Sequence, residues 1–527
     1  MSFKREHTLS KEEESMRYPV GIQNFEKLRK EKFLYVDKTK LIYRLVDEGH
    51  YYFLSRPRRF GKSLLISTLE AYFSGKKELF EGLAIYNLEQ NWLEYPILHI
   101  DLNTANFKEE GSLFAILNDY LCNWEKEYGK SKSETTLALR FKGVVERAAK
   151  KAGRNVVILV DEYDKPILQT LHNKELQENY RNELKAFYSI LKTQDQYIRF
   201  AFLTGVTKFG KVSVFSDLNN LMDISMDNRF ISICGITDKE LKANFKEGLE
   251  ELSDATGKTR EETLEELRIN YDGYHFEENS VGIYNPFSVL NTFAKLKYDS
   301  YWFETGTPTF LVELLKLHHY QLENLTKEQI SADVINSVDS MSTNPIPVIY
   351  QSGYLTIKGY DERFKKYKLG FPNKEVEEGF LNFLLPFYST AGANSPYFIE
   401  EFVKDVEAGN PDCFMKRLST MLADTDYKVI GNAELYFHNV MYLVFKIMGF
   451  YTQVERPTSD GRIDAVIQTP NYIYIIECKL DRTADEALRQ INDSNYAAPF
   501  AMDKRHIYKI GVNFSSQTRG VEQWIIE

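Results

Sequence analysis

Two groups of residues in this sequence have the types and spacing to do chemistry, and they lie toward opposite ends. In the first, Ser55-Arg56-Pro57-Arg58-Arg59-Phe60-Gly61-Lys62-Ser63 follows the apolar run Tyr51-Tyr52-Phe53-Leu54 and precedes Leu64-Leu65-Ile66-Ser67-Thr68-Leu69, which suits a helix. Strand, turn, Gly-Lys-Ser and helix is the layout of a phosphate-binding loop. Backbone N–H groups at the helix start would point at phosphate oxygens, where the helix dipole favours negative charge. Such a loop would set Arg58, Arg59, Phe60, Gly61, Lys62, Ser63 and Leu64 around a nucleotide. Lys62 would reach the β- and γ-phosphates, and the Ser63 hydroxyl would ligate Mg²⁺. The full pattern asks for glycine six positions before the lysine, where this chain has Arg56. Gly-Lys-Ser also occurs in ordinary basic turns, so the assignment leans on residues elsewhere.

Those residues come in the run Asn155-Val156-Val157-Ile158-Leu159-Val160-Asp161-Glu162. An unbroken β-branched stretch is typical of a strand buried on both faces of a parallel sheet. Its terminal acids are the usual partners of a phosphate loop, Asp161 for Mg²⁺ and Glu162 as the base that polarises the attacking water. A second run, Tyr197-Ile198-Arg199-Phe200-Ala201-Phe202-Leu203-Thr204, sets Thr204 where a polar side chain would sense the γ-phosphate. Thr is also simply a good strand residue.

The second group lies near the C-terminal end. Glu477 and Lys479 are two apart, so they share one face of a strand over Tyr472–Lys479. Asp464 lies in a strand over Gly461–Gln468, with its side chain opposite Ile463, Ala465 and Ile467. A short turn joins the two strands, so they should pair as a hairpin that brings Asp464 beside Glu477. Two carboxylates on one rigid face make an oxygen-ligand site for Mg²⁺. A neighbouring lysine orients or deprotonates water and stabilises a pentavalent phosphate. Glu434, on a preceding helix, would add a third carboxylate, and Gln490, on a following helix, would position water or backbone phosphate. The plain alternative is a structural ion pair between Glu477 and Lys479.

The elements around these groups suggest how each is held. Strand runs at Pro96–Asp101, Asn155–Glu162, Tyr197–Thr204 and Arg229–Cys234 alternate with helical stretches at Ser112–Tyr128 and Leu137–Ala152. That alternation predicts a doubly wound α/β domain over residues 18–235, after a flexible leader of residues 1–17. Residues 236–375 read as mainly helical, with a strand pair at Val348–Lys358 and Lys366–Phe371, a helical lid or winged-helix-like module. Residues 376–527 read as helices followed by strands at Phe450–Glu455, Gly461–Gln468, Tyr472–Lys479 and Ile507–Phe514, an α/β/α outline.

Composition narrows the function classes. The chain has 527 residues, 27% charged and 14% aromatic, with a formal net charge of −10. That balance argues against coating nucleic acid by bulk electrostatics but leaves room for a local basic groove. Four scattered cysteines read as reduced, buried thiols of an intracellular protein. No apolar run is long enough to span a bilayer. A soluble, cytoplasmic protein with no membrane partner is expected.

Gly461-Arg462-Ile463-Asp464, Ile475-Ile476-Glu477-Cys478-Lys479 and Ala487-Leu488-Arg489-Gln490-Ile491 resemble the PD-(D/E)XK nuclease superfamily. Tyr35-Val36-Asp37-Lys38-Thr39, Arg56–Ser63 and Val160-Asp161-Glu162-Tyr163-Asp164 resemble the bacterial AAA-ATPase-like family that carries such a nuclease domain at its C-terminus. Tyr284–Ser288 and Gln351–Thr356 are similar to that family's middle region. The resemblance implies an α/β protein: an N-terminal P-loop ATPase of the additional-strand class with a parallel sheet, a winged-helix-like middle, and a restriction-endonuclease-like C-terminal domain. It assigns ATP and Mg²⁺ to Lys62, Ser63, Asp161 and Glu162. It assigns the nuclease to Glu434, Asp464, Glu477 and Lys479, with Mn²⁺ an alternative metal there. Arg56, Arg58 and Arg59 would replace the missing backbone cradle by charge-assisted contacts to phosphate.

Together these features predict an ATP-hydrolysing, metal-dependent nuclease acting on nucleic acid, DNA favoured, gated by nucleotide state and compatible with a homo-oligomer. Arg229 is a candidate arginine finger. The competing reading is an ATP-binding signalling or scaffold switch whose nuclease-like domain binds nucleic acid or protein without cutting.

Overall fold

The computed structural model describes residues 16–171, 173–208, 220–304, 309–336, 344–389, 395–422, 433–455, 465–518 and 520–527. The chain divides into two compact units, Met1–Tyr301 and Trp302–Glu527. The division falls inside the 236–375 stretch, whose helices up to Tyr301 belong to the first unit and whose strand pair belongs to the second.

The first unit is built on a parallel sheet of β1 (Tyr51–Ser55), β2 (Ile97–Asp101), β3 (Val156–Asp161), β4 (Ile198–Gly205) and β5 (Met222–Asp223), in the order β2-β3-β4-β1-β5. Every residue of β1 and β3 is buried, as two-sided coverage of a parallel sheet requires. β4 lies between β1 and β3, so the strand that delivers the phosphate loop and the strand that ends in the acids are separated by one strand. All three end on the same side of the sheet, which gathers Ser55, Asp161 and Thr204 at one edge.

The expected strand at Arg229–Cys234 is instead a turn and a short 3₁₀ helix, Ile231–Ile233. Phe230, Ile231, Ile233 and Cys234 are all buried without joining a ladder. An apolar run without periodicity satisfies burial in either conformation. The edge strand is β5 instead.

The rest of this unit is helical. Helices Asp238–Asn244, Lys246–Thr256, Arg260–Tyr271 and Pro286–Lys295 close around Leu241, Phe245, Leu249, Leu267 and Phe293. Capping boxes at Thr237/Glu240 and Thr259/Glu262 start two of them. A short antiparallel pair, β6 (Ile236–Thr237) with β7 (Ile283–Tyr284), ties the bundle together.

In the second unit, β8 (Gln329–Ser331), β9 (Thr356–Asp361) and β10 (Lys366–Gly370) form an antiparallel sheet in the order β8-β10-β9. With helices Thr309–Leu317, Ala332–Asn336 and Ile346–Gln351, the chain order is helix, strand, helix, helix, strand, strand, the winged-helix arrangement. The expected strand over Val348–Lys358 is half wrong. Its first part is the helix Ile346–Gln351, started by the Asn344 side chain, which accepts the Ile346 N–H, and by Pro347 in its first turn.

The last sheet runs β11 (Gln453–Glu455), β12 (Ala465–Gln468), β13 (Tyr472–Leu480), β14 (His506–Ser515) and β15 (Gly520–Ile526) in sequence order. β12 and β13 form the expected antiparallel hairpin, and β13 pairs in parallel with β14 through the crossover helix Ala484–Asp493. That helix presses on the sheet at Gly511, where a Cβ would stand 2.3 Å from the Ala484 carbonyl oxygen. Only glycine fits there. β15, an edge strand, was not expected from the sequence.

None of the four cysteines forms a disulfide, but only Cys234 is buried, and Cys413 is exposed. Among the described residues no helix is long and apolar enough to cross a membrane.

Candidate nucleotide and metal sites

The phosphate loop leaves β1 and enters the helix Lys62–Phe73 through Gly61, whose φ of 92° is left-handed and suits glycine alone at no cost. Lys62 is buried. Its ammonium bonds the carbonyls of Arg56 at 3.1 Å and Pro57 at 3.2 Å and pairs with Glu162 Oε1 at 3.2 Å. The Ser63 hydroxyl donates to Asp161 Oδ2 at 2.5 Å, and the Thr204 hydroxyl donates to Asp161 Oδ1 at 2.5 Å. Five of the residues singled out in the sequence thus converge on one point, from the loop, β3 and β4. Glu162 reaches it with a φ of 55°, a left-handed turn at the strand end. Ser63 and Asp161 offer facing hard oxygens, a donor pair that fits Mg²⁺. Arg58 and Arg59 are exposed, and the Arg59 guanidinium lies 5.2 Å from the Phe287 ring centroid.

Asp164 was quoted only as part of a motif, yet it braces the site. It is fully buried and accepts the N–H groups of Val206 and Thr207 and the Thr207 hydroxyl, fixing the turn that follows Thr204. Burial, reinforced by the Glu162 charge, raises its carboxyl to about 6, against the pull of the Thr207 donors. A carboxyl raised on folding contributes stability that is full below its unfolded value and is lost as pH rises through its folded value. From this group, stability is greatest below about pH 4 and falls toward pH 6, by about 3 kcal/mol in all. Asp164→Asn mimics the protonated form. Urea midpoints of variant and wild type should lie close together near pH 4 and separate as pH rises to 7.5, with wild type falling below the variant, and a pH-independent gap would rule this out.

Arg56 does not serve as a phosphate ligand here. Its guanidinium, 1% exposed, bonds the carbonyls of Ser55 at 2.9 Å, Ser225 at 2.7 Å and Ile231 at 3.3 Å, and stacks 3.9 Å from the Phe276 ring centroid. The residue in place of the missing glycine staples the loop to the 225–231 turn. Arg56→Met should cost about 3–5 kcal/mol of first-unit stability in denaturant titration, because buried carbonyls lose their donors, and Arg56→Lys should recover little without the planar fork. Wild-type stability in Arg56→Met would contradict the staple. Arg229, the candidate finger, is engaged within its own chain by Asp227 and by Glu48 at 2.8 Å.

Beside Gly61 lies a small, largely apolar cavity, lined among others by Tyr35, Val36, Phe60, Leu64, Cys234 and Ile236. Burial raises both the Tyr35 hydroxyl and the Cys234 thiol above their ordinary values. The Tyr-Val-Asp-Lys-Thr motif builds one wall. Asp37 accepts the Thr39 N–H and hydroxyl and the Ala84 N–H, starting the helix Thr39–Glu48. Lys38, lowered by burial in spite of its partner, donates at 2.6 Å to both oxygens of Glu240. The cavity thus lies next to the phosphate loop with a mainly apolar lining.

In the second unit Glu477 is 4% exposed, and Lys479 Nζ donates to its Oε1 at 2.8 Å. Ile473, Ile475 and Val466 pack against Ile491 of the crossover helix. Strand alternation therefore sets Glu477 and Lys479 on the same face as that helix, which also carries Gln490. Gln490 donates to the Tyr496 hydroxyl at 3.2 Å. Asn513, paired with Lys479 across β13 and β14, is a polar neighbour the sequence reading missed. It donates to Glu522 and accepts the Arg482 N–H. Asp464 lies outside the described residues, and Glu434 is described only as a position on the helix Ala433–Met448. Among the described residues no three His, Cys, Asp or Glu side chains form a ready metal cluster.

Comparison with known proteins matches residues 19–215 to the model for a predicted AAA-ATPase family and residues 432–524 to that of the PD-(D/E)XK nuclease superfamily. An uncharacterized protein in the vnfD 5' region of Azotobacter chroococcum mcd 1 is 34% identical over 521 residues, covering 97% of this chain and 98% of that protein. Among solved structures, the Aeropyrum pernix ORC2 protein in ADPNP and ADP complexes matches at 12% identity and a TM-score of 0.25, covering 66% of this chain and 91% of that one. At that score nothing carries over. With a full-length relative and both domain matches in chain order, this chain belongs to the AAA-ATPase-like family that carries a C-terminal PD-(D/E)XK nuclease superfamily domain.

Proposed function

We propose that this protein hydrolyses ATP in its first unit and cuts nucleic acid, DNA above all, in its second, with nucleotide state controlling the cut. The observation that carries the ATPase half is the convergence of Lys62, Ser63, Asp161, Glu162 and Thr204. Phosphate oxygens would take over the Lys62 ammonium from Glu162 and the loop carbonyls. The freed Glu162 carboxylate accepts a proton from the attacking water, and Thr204 holds Asp161 in place. Mg²⁺ held by Ser63 and Asp161 would neutralise charge on the β- and γ-phosphates. The cavity lined by Tyr35, Val36 and Phe60 would take the base.

For the nuclease half, Glu477, Asp464 and Glu434 would hold Mg²⁺ or Mn²⁺, which supplies a polarised water and charge neutralisation. Lys479 would orient that water and stabilise the phosphate, and Gln490 would steady the backbone.

The Lys62–Glu162 ion pair favours a second reading. It engages the phosphate-binding lysine and the general base with each other, as an ATP-bound switch that turns over slowly would do. Phosphate release and cleavage of a plasmid and oligonucleotide panel, in Mg²⁺ or Mn²⁺ with and without ATP, decide between them. Cleavage that responds to ATP supports the nuclease. Absence of cleavage under every condition leaves the switch.

A further inference from the structure

We propose that the β9–β10 hairpin is a cationic wing that grips the phosphate backbone of a nucleic-acid duplex, a role that rests on the nucleic-acid function proposed above. Arg363, Lys365, Lys366 and Lys368 are all exposed, the first two at its tip and the last two along β10, the middle strand of the sheet. Among the described residues no carboxylate lies within ion-pair distance of any of the four. Two acids lie in the same hairpin, Glu362 and Asp361, which sits across from Lys366 and accepts the Phe364 N–H at 3.0 Å, so the four cations exceed the local acids by two. In a chain of net charge −10, a hairpin with a net positive charge attracts phosphate locally where the whole molecule does not.

The tip also carries an aromatic. Phe364 is 60% exposed, and the Arg363 guanidinium lies 5.0 Å from its ring centroid. An exposed ring under a guanidinium is suited to lie against sugars or unstacked bases while the cations hold phosphates. An acidic protein surface would use the charges but not the ring. The base of the hairpin is rigid: Ile357, Tyr367 and Leu369 are buried, and Tyr360 and Tyr367 pair across the strands at 4.7 Å.

The helix that this arrangement commonly offers to a groove is closed off. Ile346, Val348 and Ile349 are fully buried, and Gln351 Nε2 is spent on the Ile335 carbonyl at 2.7 Å. The wing is therefore the part of this module left to meet a duplex, and it would contribute affinity rather than base reading.

The test is fluorescence anisotropy of the full-length protein with labelled duplex DNA, duplex RNA and single-stranded DNA. EDTA keeps the probes uncut. The triple variant Arg363→Gln/Lys365→Gln/Lys366→Gln should bind duplex about 10–100-fold more weakly near 0.1 M salt and flatten the log K against log salt slope by about two to three. Its ATP turnover should match wild type. Phe364→Ala should weaken binding with the slope kept. The duplex DNA and RNA arms tell which backbone is preferred. Unchanged affinity and slope in the triple variant overturn the wing, as does a wild type that binds none of the probes. Wing-dependent binding by a protein that never cuts leaves the wing and removes the nuclease. Cutting with wing-independent binding does the reverse.

Discussion

Lys62→Ala should lose ATP binding by at least about 100-fold and with it all measurable turnover. The ammonium is buried, and in the described structure its donors go to two loop carbonyls and Glu162. Phosphate oxygens are stronger acceptors than carbonyls, so the contact forms without new side-chain ordering and its loss is felt in full. Alanine also removes the bonds to Arg56 and Pro57, so loop distortion must be separated from lost charge. Glu162→Gln makes that separation. It keeps the length and polarity of the side chain, leaves Lys62 able to meet phosphate, and removes the base. ATP analogue titrations should then show binding retained, while phosphate release falls by about 10²–10⁴-fold. If Lys62→Ala turns over ATP as wild type does, the phosphate-loop assignment is wrong.

How much of this was legible depends on what each residue's neighbours do. Asp161-Glu162 stood out because burial on both faces leaves β3 an unbroken apolar run that stops at the acids. The insertion of β4 between β1 and β3 leaves no local mark, since strand order is decided by crossovers and not by any one segment. Arg56 reads in sequence as one of three loop arginines that would contact phosphate. Only the carbonyls of Ser225 and Ile231, far along the chain, turn it into an internal staple. Asp164 could have been suspected from a third acid two residues past Glu162, but its acceptor role depends on Val206 and Thr207. β15 was missed because Gly520–Ile526 is a partly exposed edge strand, and its pattern is weaker than that of the central strands. The Glu477-Lys479 pair was legible from period two alone, because both lie on one continuous strand.

Glu477→Gln should abolish nucleic-acid cleavage, by about 10³-fold or more, and leave ATP turnover as it was. The size follows from the setting. A carboxylate 4% exposed, on a nine-residue strand between two others, is fixed before substrate arrives, so its charge acts without reorganisation. Glutamine keeps the shape and can still accept from Lys479, which is why this change tests chemistry more cleanly than a change at the lysine. Removing Lys479 would leave a buried carboxylate without its 2.8 Å partner, at a cost of roughly 3 kcal/mol, and a loss of cutting could then reflect a loosened sheet. Plasmid nicking in Mg²⁺ and in Mn²⁺, with thermal melting as the control for folding, reads the result. A Glu477→Gln protein that cuts as well as wild type would reduce the pair to a structural ion bridge. A folded variant that binds duplex and hydrolyses ATP but no longer cuts would mark Glu477 as part of the machinery that breaks the phosphodiester.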